Sequence, residues 1–230
     1  MKPLQVRRLG RVPYAEGVAL QQRLVEERRR GEIPDTLLLL EHPHVITLGV
    51  RVHHDRSHVV TPPAELARRG VEIHESGRGG DVTYHGPGQL VGYPIFDLSP
   101  DRRDLHRYVR DIEQALMDAL ARFGVVAGRI PGLTGVWVGD GKVAAIGVRI
   151  SRWVTSHGFA LNVGTDLDYF GLIVPCGISD RGVTSLSRIL GRAVPVIEAE
   201  GPVIEGFTSV FGLTLVPDAG VVTPAGSAVP

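Results

Sequence analysis

Thr36-Leu37-Leu38-Leu39-Leu40-Glu41 is the stretch on which the fold turns. Four leucines between a threonine and a glutamate are too few for a membrane span. A continuous apolar run of this length suits a strand covered on both faces. Such a strand needs one layer above it and another below. Val45-Ile46-Thr47-Leu48 continues as extended chain and stops at Gly49. On the N-terminal side, residues 4–8 read as extended. Residues 14–30 read as a helix behind Pro13, whose fixed φ suits a first helical turn.

Downstream, residues 90–96 read as another strand. Residues 104–123 carry the clearest helical pattern, with Leu105, Tyr108, Val109, Ile112, Leu116, Ala119, Leu120 and Phe123 recurring every three or four positions before Gly124. Three strand-like pieces follow at 136–138, 143–150 and 157–163. The first two, joined by Gly139-Asp140-Gly141, read as a hairpin, and residues 152–156 separate the third. A weaker helix is expected over 198–211, interrupted at Gly201-Pro202. Strands that follow one another along the chain predict an α+β fold, a mixed or antiparallel sheet flanked by helices, over regular βαβ winding. One domain over 1–215 is expected. Residues 216–230 are rich in Pro, Gly and Ala without aromatics and read as a disordered tail.

At 230 residues and 43% hydrophobic content the chain can bury a core without staples. A net charge of zero supplies no global field for nucleic acid or for an anionic membrane. Arginines do gather at Arg7, Arg8, Arg11, Arg23, Arg28, Arg29 and Arg30, either as a solvated face or as a docking patch for an acidic partner. No apolar stretch approaches the ~20 residues of a membrane span. The first residues lack the apolar core of a secretory signal, so the expected location is the cytoplasm.

Cys176 is the only cysteine, in Ile173-Val174-Pro175-Cys176-Gly177-Ile178. With no internal disulfide open to it, it is either a small buried hydrophobe or a nucleophile. Lysine usage bears on the choice, because among 25 basic residues only Lys2 and Lys142 are lysines. Lys142 opens the apolar segment Val143-Ala144-Ala145-Ile146-Gly147-Val148, where an amine can do what arginine cannot, which is give up its proton. An ammonium beside Cys176 would favour its thiolate by ~1–3 pH units. Cys176 and Lys142 would then pass one proton between them during acyl transfer. The competing account has Cys176 filling space and Lys142 snorkelling to the surface.

The glycine-rich run Ser76-Gly77-Arg78-Gly79-Gly80-Asp81-Val82-Thr83-Tyr84-His85-Gly86-Pro87-Gly88-Gln89-Leu90 gives a backbone that a ligand can approach closely, or else a cluster of turns. It lacks the pattern of a phosphate loop and leads into a strand. Ala144, Ala145, Gly147, Gly158 and Ala160 suit close strand packing or the wall of an apolar tunnel. His42, His44, His53, His54 and His58 lack a firm ligand spacing, so no metal site is expected.

Together these segments resemble the lipoyl(octanoyl) transferases of the biotin/lipoate protein ligase catalytic-domain superfamily. The resemblance rests on Thr36 to Pro43, on Gly77 to Pro94, on Lys142-Val143-Ala144-Ala145-Ile146-Gly147, on His157-Gly158-Phe159-Ala160-Leu161-Asn162 and on Pro175-Cys176-Gly177-Ile178. It covers about residues 4–212 in family order. It implies the ligase fold, a mixed sheet flanked by helices. It implies transfer of an octanoyl or lipoyl group from acyl carrier protein to a lysine of lipoyl-carrier domains, the first step of endogenous protein lipoylation. Cys176 would carry the acyl thioester and Lys142 would tune or shuttle its proton. Arg78, Gly79, Gly80, Asp81, Val82, Thr83, Tyr84, His85, Ala145, Ile146, Gly147, Gly158, Phe159 and Ala160 would line the acyl-substrate pocket.

The same resemblance implies no cofactor beyond the donor's phosphopantetheine arm. The acceptors would be the lipoyl domains of 2-oxo acid dehydrogenase complexes and the glycine cleavage H protein, the enzyme would act as a monomer, and neither nucleic acid nor membrane would be a partner. Three rivals remain open: an ATP-dependent lipoate or biotin ligase, which would not need Cys176; a thiol hydrolase using His85 or His157 as base; and a non-catalytic acyl-carrier-binding protein.

Overall fold

The computed structural model describes residues 1–52, 55–174 and 182–217. Its elements begin with β1 (Lys2–Arg11), α1 (Tyr14–Arg29), β2 (Asp35–Glu41), β3 (Val45–Leu48), α2 (Pro63–Arg68), β4 (Glu72–Glu75), β5 (Val82–His85) and β6 (Gln89–Ile95). They continue with α3 (Leu105–Ala121), β7 (Gly128–Ile130), β8 (Leu133–Val138), β9 (Gly141–Ser151), β10 (Val154–Asn162), α4 (Leu186–Leu190), α5 (Val196–Phe211) and β11 (Leu213–Leu215). Short 3₁₀ turns lie at Val50–Val52 and Leu167–Leu172.

The leucine run is β2, and it is covered on both sides. Leu37 and Leu39 face α3 and α5, while Leu38 and Leu40 face α1 with Leu24 and Val25. Period-two alternation in a strand produces this division. Eight strands form one sheet in the order β11-β1-β2-β6-β10-β9-β8-β7. β1 runs parallel to β2 and β11, and the other pairings are antiparallel, so the sheet is mixed, as expected from the strand pattern. A three-stranded sheet, β4-β3-β5, holds its own apolar cluster of Ile46, Leu48, Val82, Tyr84, Leu172 and Ile173. No helix of the described residues is long and apolar enough to cross a membrane.

Two features depart from expectation. β9 and β10 form one long hairpin closed by Arg152 and Trp153, both at positive φ (51° and 66°). That is the geometry favoured in two-residue hairpin turns, but without the glycine or asparagine that usually marks it. α5 also runs through Pro202 without the interruption expected at Gly201-Pro202. Val203, Ile204, Phe207 and Phe211 bury one side of it in the core, which offsets the hydrogen bond that proline removes. Four short strands (β4, β5, β7, β11) and two short helices (α2, α4) were not marked by periodicity. His53, His54, Cys176 and the expected tail beyond residue 217 lie outside the described residues.

α3 and α5 approach closely at Gly206, where a Cβ would stand 2.2 Å from Ala115 O. Gly206→Ala is expected to cost about 1–3 kcal/mol in urea unfolding, because two helix backbones must part. Gly201→Ala, in open space on the same helix, is expected to be neutral or stabilising by up to about 1 kcal/mol. Equal midpoints for the two variants would contradict this account of the interface.

Candidate active site

The glycine-rich segment is pinned from both sides. Val50 N–H donates to Arg78 O, Arg51 N–H to Gly80 O and Gly49 N–H to Asp81 O, each at 3.0–3.1 Å. From the large sheet, Val148 O accepts from Gly79 N at 2.9 Å. This seat exists only because Gly147 has no side chain, since a Cβ there would meet Gly79 O at 2.8 Å. Gly158, paired with Gly147 across β9 and β10, lies as close to β6, its Cβ position being 2.2 Å from Gly92 O. The small residues therefore serve close backbone packing.

Arg78 is buried. Its Nε and Nη2 donate to Thr47 Oγ1 at 3.0 and 2.9 Å, Nη2 also reaches Thr47 O at 2.6 Å, and Nη1 reaches Gly79 O at 3.1 Å. The guanidinium thus ties the loop to β3. Tyr14 on α1 donates Oη–H to Ser76 Oγ at 2.7 Å. Its ring lies edge-on to His42 (centroids 5.3 Å apart) and stacks on His85 (6.4 Å). A polar chamber results, walled by α1, the small sheet and the α1 side of β6, β10 and β9.

Strand alternation divides the residues expected to line an acyl pocket. Thr83 and His85 face the chamber with Thr47, whereas Val82 and Tyr84 turn into the small sheet's apolar cluster. Asp81 accepts from Val82 N at 2.6 Å and pairs with His58 Nδ1 at 2.8 Å. Gly147, Gly158 and Ala160 lie on the chamber side, with Ala145 paired to Ala160. Ile146 and Phe159 point the other way, into the core under α3 and α5.

Three buried histidines stand around this chamber as neutral rings. Burial holds His42 at about 4 and His157 at about 4. For His85, burial, then His42 and Arg78, bring it to about 3. His42 donates Nδ1–H to Val12 O (2.6 Å), so its Nε2 accepts from Tyr93 Oη–H at 2.7 Å. His157 sits at φ +55°, its backbone N–H captured by Gln21 Oε1 at 2.7 Å, a strained position held by its surroundings. His44, two residues from His42, stacks instead on Tyr169. The two do not share a face.

Lys142 lies at the start of β9. Its Nζ is 4.8 Å from the centre of the Trp137 ring, and its stem passes Gly135. Buried Glu113 on α3 fixes that glycine by accepting Gly135 N–H at 3.0 Å, with Arg110 and Arg129 on its other oxygen. The backbone of Lys142 is held on its free edge: its N–H donates to Gly182 O and its O accepts from Thr184 N, both at 3.0 Å. On the other flank Val174 N–H donates to His58 O at 2.8 Å. Cys176 falls between these anchors, outside the described residues, two positions after Val174 and six before Gly182.

Six of the seven clustered arginines are ion-paired internally: Arg8 with Glu200, Arg11 with Glu41, Arg23 with Glu27, Arg28 with Asp35, Arg29 with Glu26 and Arg30 with Glu32. That balance favours the solvated-face reading over a docking patch. Tyr14, Gln21 and Glu113 carried no signal as supports in the sequence, because Tyr14 meets Ser76, Gln21 meets His157 and Glu113 meets Gly135 across long stretches of chain. Gln89, Tyr93 and Asn162 lie within the family-like segments, but spacing along the chain does not reveal their partners.

The neutral histidines set a pH dependence. Their folded pKa values lie below the ordinary value near 6.5, so between about pH 4 and 6.5 the unfolded chain binds more protons. Stability therefore falls as pH drops through that window, by up to about 1.4 kcal/mol per pH unit for each histidine, and is unaffected by them above it. Urea unfolding at pH 6 and pH 5, above the range of ordinary carboxylates, is expected to show this loss. Equal stabilities at the two values would contradict it.

The family model for the lipoyl protein ligase A/B catalytic domain matches residues 13–208. The octanoyltransferase of Myxococcus xanthus is 55% identical over 217 residues, covering 92% of this chain and 60% of that protein. The octanoyltransferase of Solibacter usitatus is 51% identical over 219 residues, covering 95% and 98%. In structure, the bipartite lipoate protein ligase of Thermoplasma acidophilum superposes with a TM-score of 0.70 at 18% identity, over 94% of this chain and 86% of the other. That likeness carries the fold, and the closer relatives carry the kinship: the chain belongs to the lipoyl protein ligase A/B catalytic-domain family, among its octanoyltransferases.

Proposed function

We propose that the chain performs its family's octanoyl transfer through a thioester on Cys176, taking the acyl group from the phosphopantetheine arm of acyl carrier protein. The acceptors are lysines on lipoyl domains of 2-oxo acid dehydrogenase complexes and on the glycine cleavage H protein, and the reaction takes place in the cytoplasm. One observation supports the pairing of Cys176 with Lys142 above the rest: the chain that follows the cysteine segment, Gly182 to Thr184, is hydrogen-bonded to both backbone groups of Lys142.

In the resting state Cys176 is a thiolate beside the Lys142 ammonium. The sulfur attacks the donor's thioester carbonyl, the donor C–S bond breaks, and the departing thiolate takes a proton from Lys142. The acceptor's neutral amine then attacks the acyl-cysteine. Its surplus proton passes to the Lys142 amine, the C–S bond to Cys176 breaks, and an amide forms with the thiolate restored. A thioester-to-amide exchange runs downhill, so neither nucleotide nor metal enters the balance. The neutral histidines around the chamber do not suit a hydrolase, because groups held at about 3 to 4 are weak bases.

Incubation with octanoyl-acyl carrier protein and no nucleotide is expected to add one hydroxylamine-labile octanoyl group in intact-mass measurement. A requirement for ATP would favour the ligase reading instead. Cys176→Ala should abolish the adduct. Lys142→Arg should lower transfer about 10²–10⁴-fold, the usual worth of a positioned acid–base group. Full activity in Lys142→Arg would remove the proton-shuttle role, since arginine keeps its charge but not its lability.

A further inference from the structure

Gln89 and Asn162 are buried side chains, 1% and 4% exposed, that the acyl-transfer steps leave without a task. Asn162 donates Nδ2–H to Thr184 O at 3.0 Å. A carbonyl only accepts, so this contact fixes which way the amide points. Asn162 Oδ1 then faces Gln89 Nε2 at 2.9 Å, and the same Nε2 lies 3.2 Å from Tyr84 O, a second acceptor. Gln89 Oε1 is left against His85 Nδ1 at 2.8 Å. An amide oxygen cannot donate, so the ring proton of His85 belongs on Nδ1 and its Nε2 carries a lone pair.

Nε2 of His85 makes no hydrogen bond among the described residues. The fully buried side-chain atoms that lack a partner lie on Gln21, Arg29, Tyr108 and Trp137, so Nε2 opens on the 6% of its surface that His85 keeps. The other end of the chain of bonds reaches the catalytic lysine, since Thr184 N–H donates to Lys142 O.

We infer that Gln89 and Asn162 are positioning residues: they hold His85 in its Nδ1–H form, presenting Nε2 as a fixed acceptor to an N–H of substrate, and they key that ring to the segment that clasps Lys142. Burial keeps the ring neutral at working pH, which preserves the lone pair. An N–H can arrive on the donor's pantetheine arm or on the acceptor's lysine, and the two half-reactions distinguish them. The inference rests on the octanoyl-transfer reading for its kinetic part only.

Long-range ¹H–¹⁵N correlation on the full chain labelled at histidine should show His85 with a protonated Nδ1 and a bare Nε2. A proton on Nε2 in the wild-type protein overturns the inference. Gln89→Met removes both the acceptor for Nδ1–H and the donor to Asn162, and is expected to release the ring to the Nε2–H form. It should also slow one half-reaction by about tenfold, the worth of one hydrogen bond. Loss in Cys176 acylation by octanoyl-acyl carrier protein assigns the N–H to the donor; loss in discharge to a lipoyl domain assigns it to the acceptor.

Gln89→Glu, close in shape, keeps an acceptor for Nδ1–H but cannot donate to Asn162. It should keep the tautomer while still slowing the reaction, and it decides the matter where Gln89→Met fails to fold. Both half-reactions within twofold of wild type in the folded variant overturn the inference. Absence of acylation in the wild-type protein is a different result, which counts against the octanoyl-transfer reading and leaves the tautomer to be judged by its own spectrum.

Discussion

The close approach of backbones at the paired glycines Gly147 and Gly158 is the constraint on which the site depends. On one side it lets the loop carrying Arg78 bond directly to β9 through Gly79 N–H and Val148 O. On the other it lets β10 press against β6, where a Cβ at Gly158 would stand 2.2 Å from Gly92 O. Remove that freedom and the loop lifts from the sheet, taking with it the buried guanidinium that ties β3 to the chamber wall. The Lys142 end of β9 is fixed separately, by Gly182 and Thr184 on its backbone and by the Glu113–Gly135 bond beneath its stem.

Electrostatics in the chamber follow from this burial. One guanidinium is taken out of water, and it is sustainable because Thr47 and Gly79 supply oxygen acceptors. Rings close to such a charge, in a medium that already disfavours ionisation, stay neutral; His85 and His157 both feel Arg78 in this way. The chamber therefore offers hydrogen-bonding geometry without mobile protons of its own. In the proposed reaction, proton movement falls to Lys142, whose backbone is joined to His85 only through Thr184, Asn162 and Gln89.

Much of this was legible in the sequence, and what was missed has physical reasons. Leucines 37–40 announced a strand covered on both faces, and the helix over 105–121 followed from its apolar spacing. The Arg152-Trp153 turn was hidden because non-glycine residues occupy its left-handed positions. The continuity of α5 was hidden because packing of Phe207 and Phe211 overrides a local helix breaker. In the site, the motif segments were visible but their division between faces was not: Ile146 and Phe159 sit beside Gly147 and Gly158 in sequence and on the opposite side of the sheet. Contacts such as Asn162 Nδ2 with Thr184 O join a strand to a segment outside the sheet, which no local pattern encodes.

Cys176 owes its nucleophilicity, in this account, to the ammonium of Lys142. The most direct test is the pH dependence of alkylation of that single thiol in the wild-type chain and in Lys142→Met. The account predicts a thiol pKa well below the ordinary value of about 8.5 in the wild type, rising by about 1–3 units when the ammonium is removed. Identical alkylation profiles for the two proteins, both near the ordinary value, would contradict it.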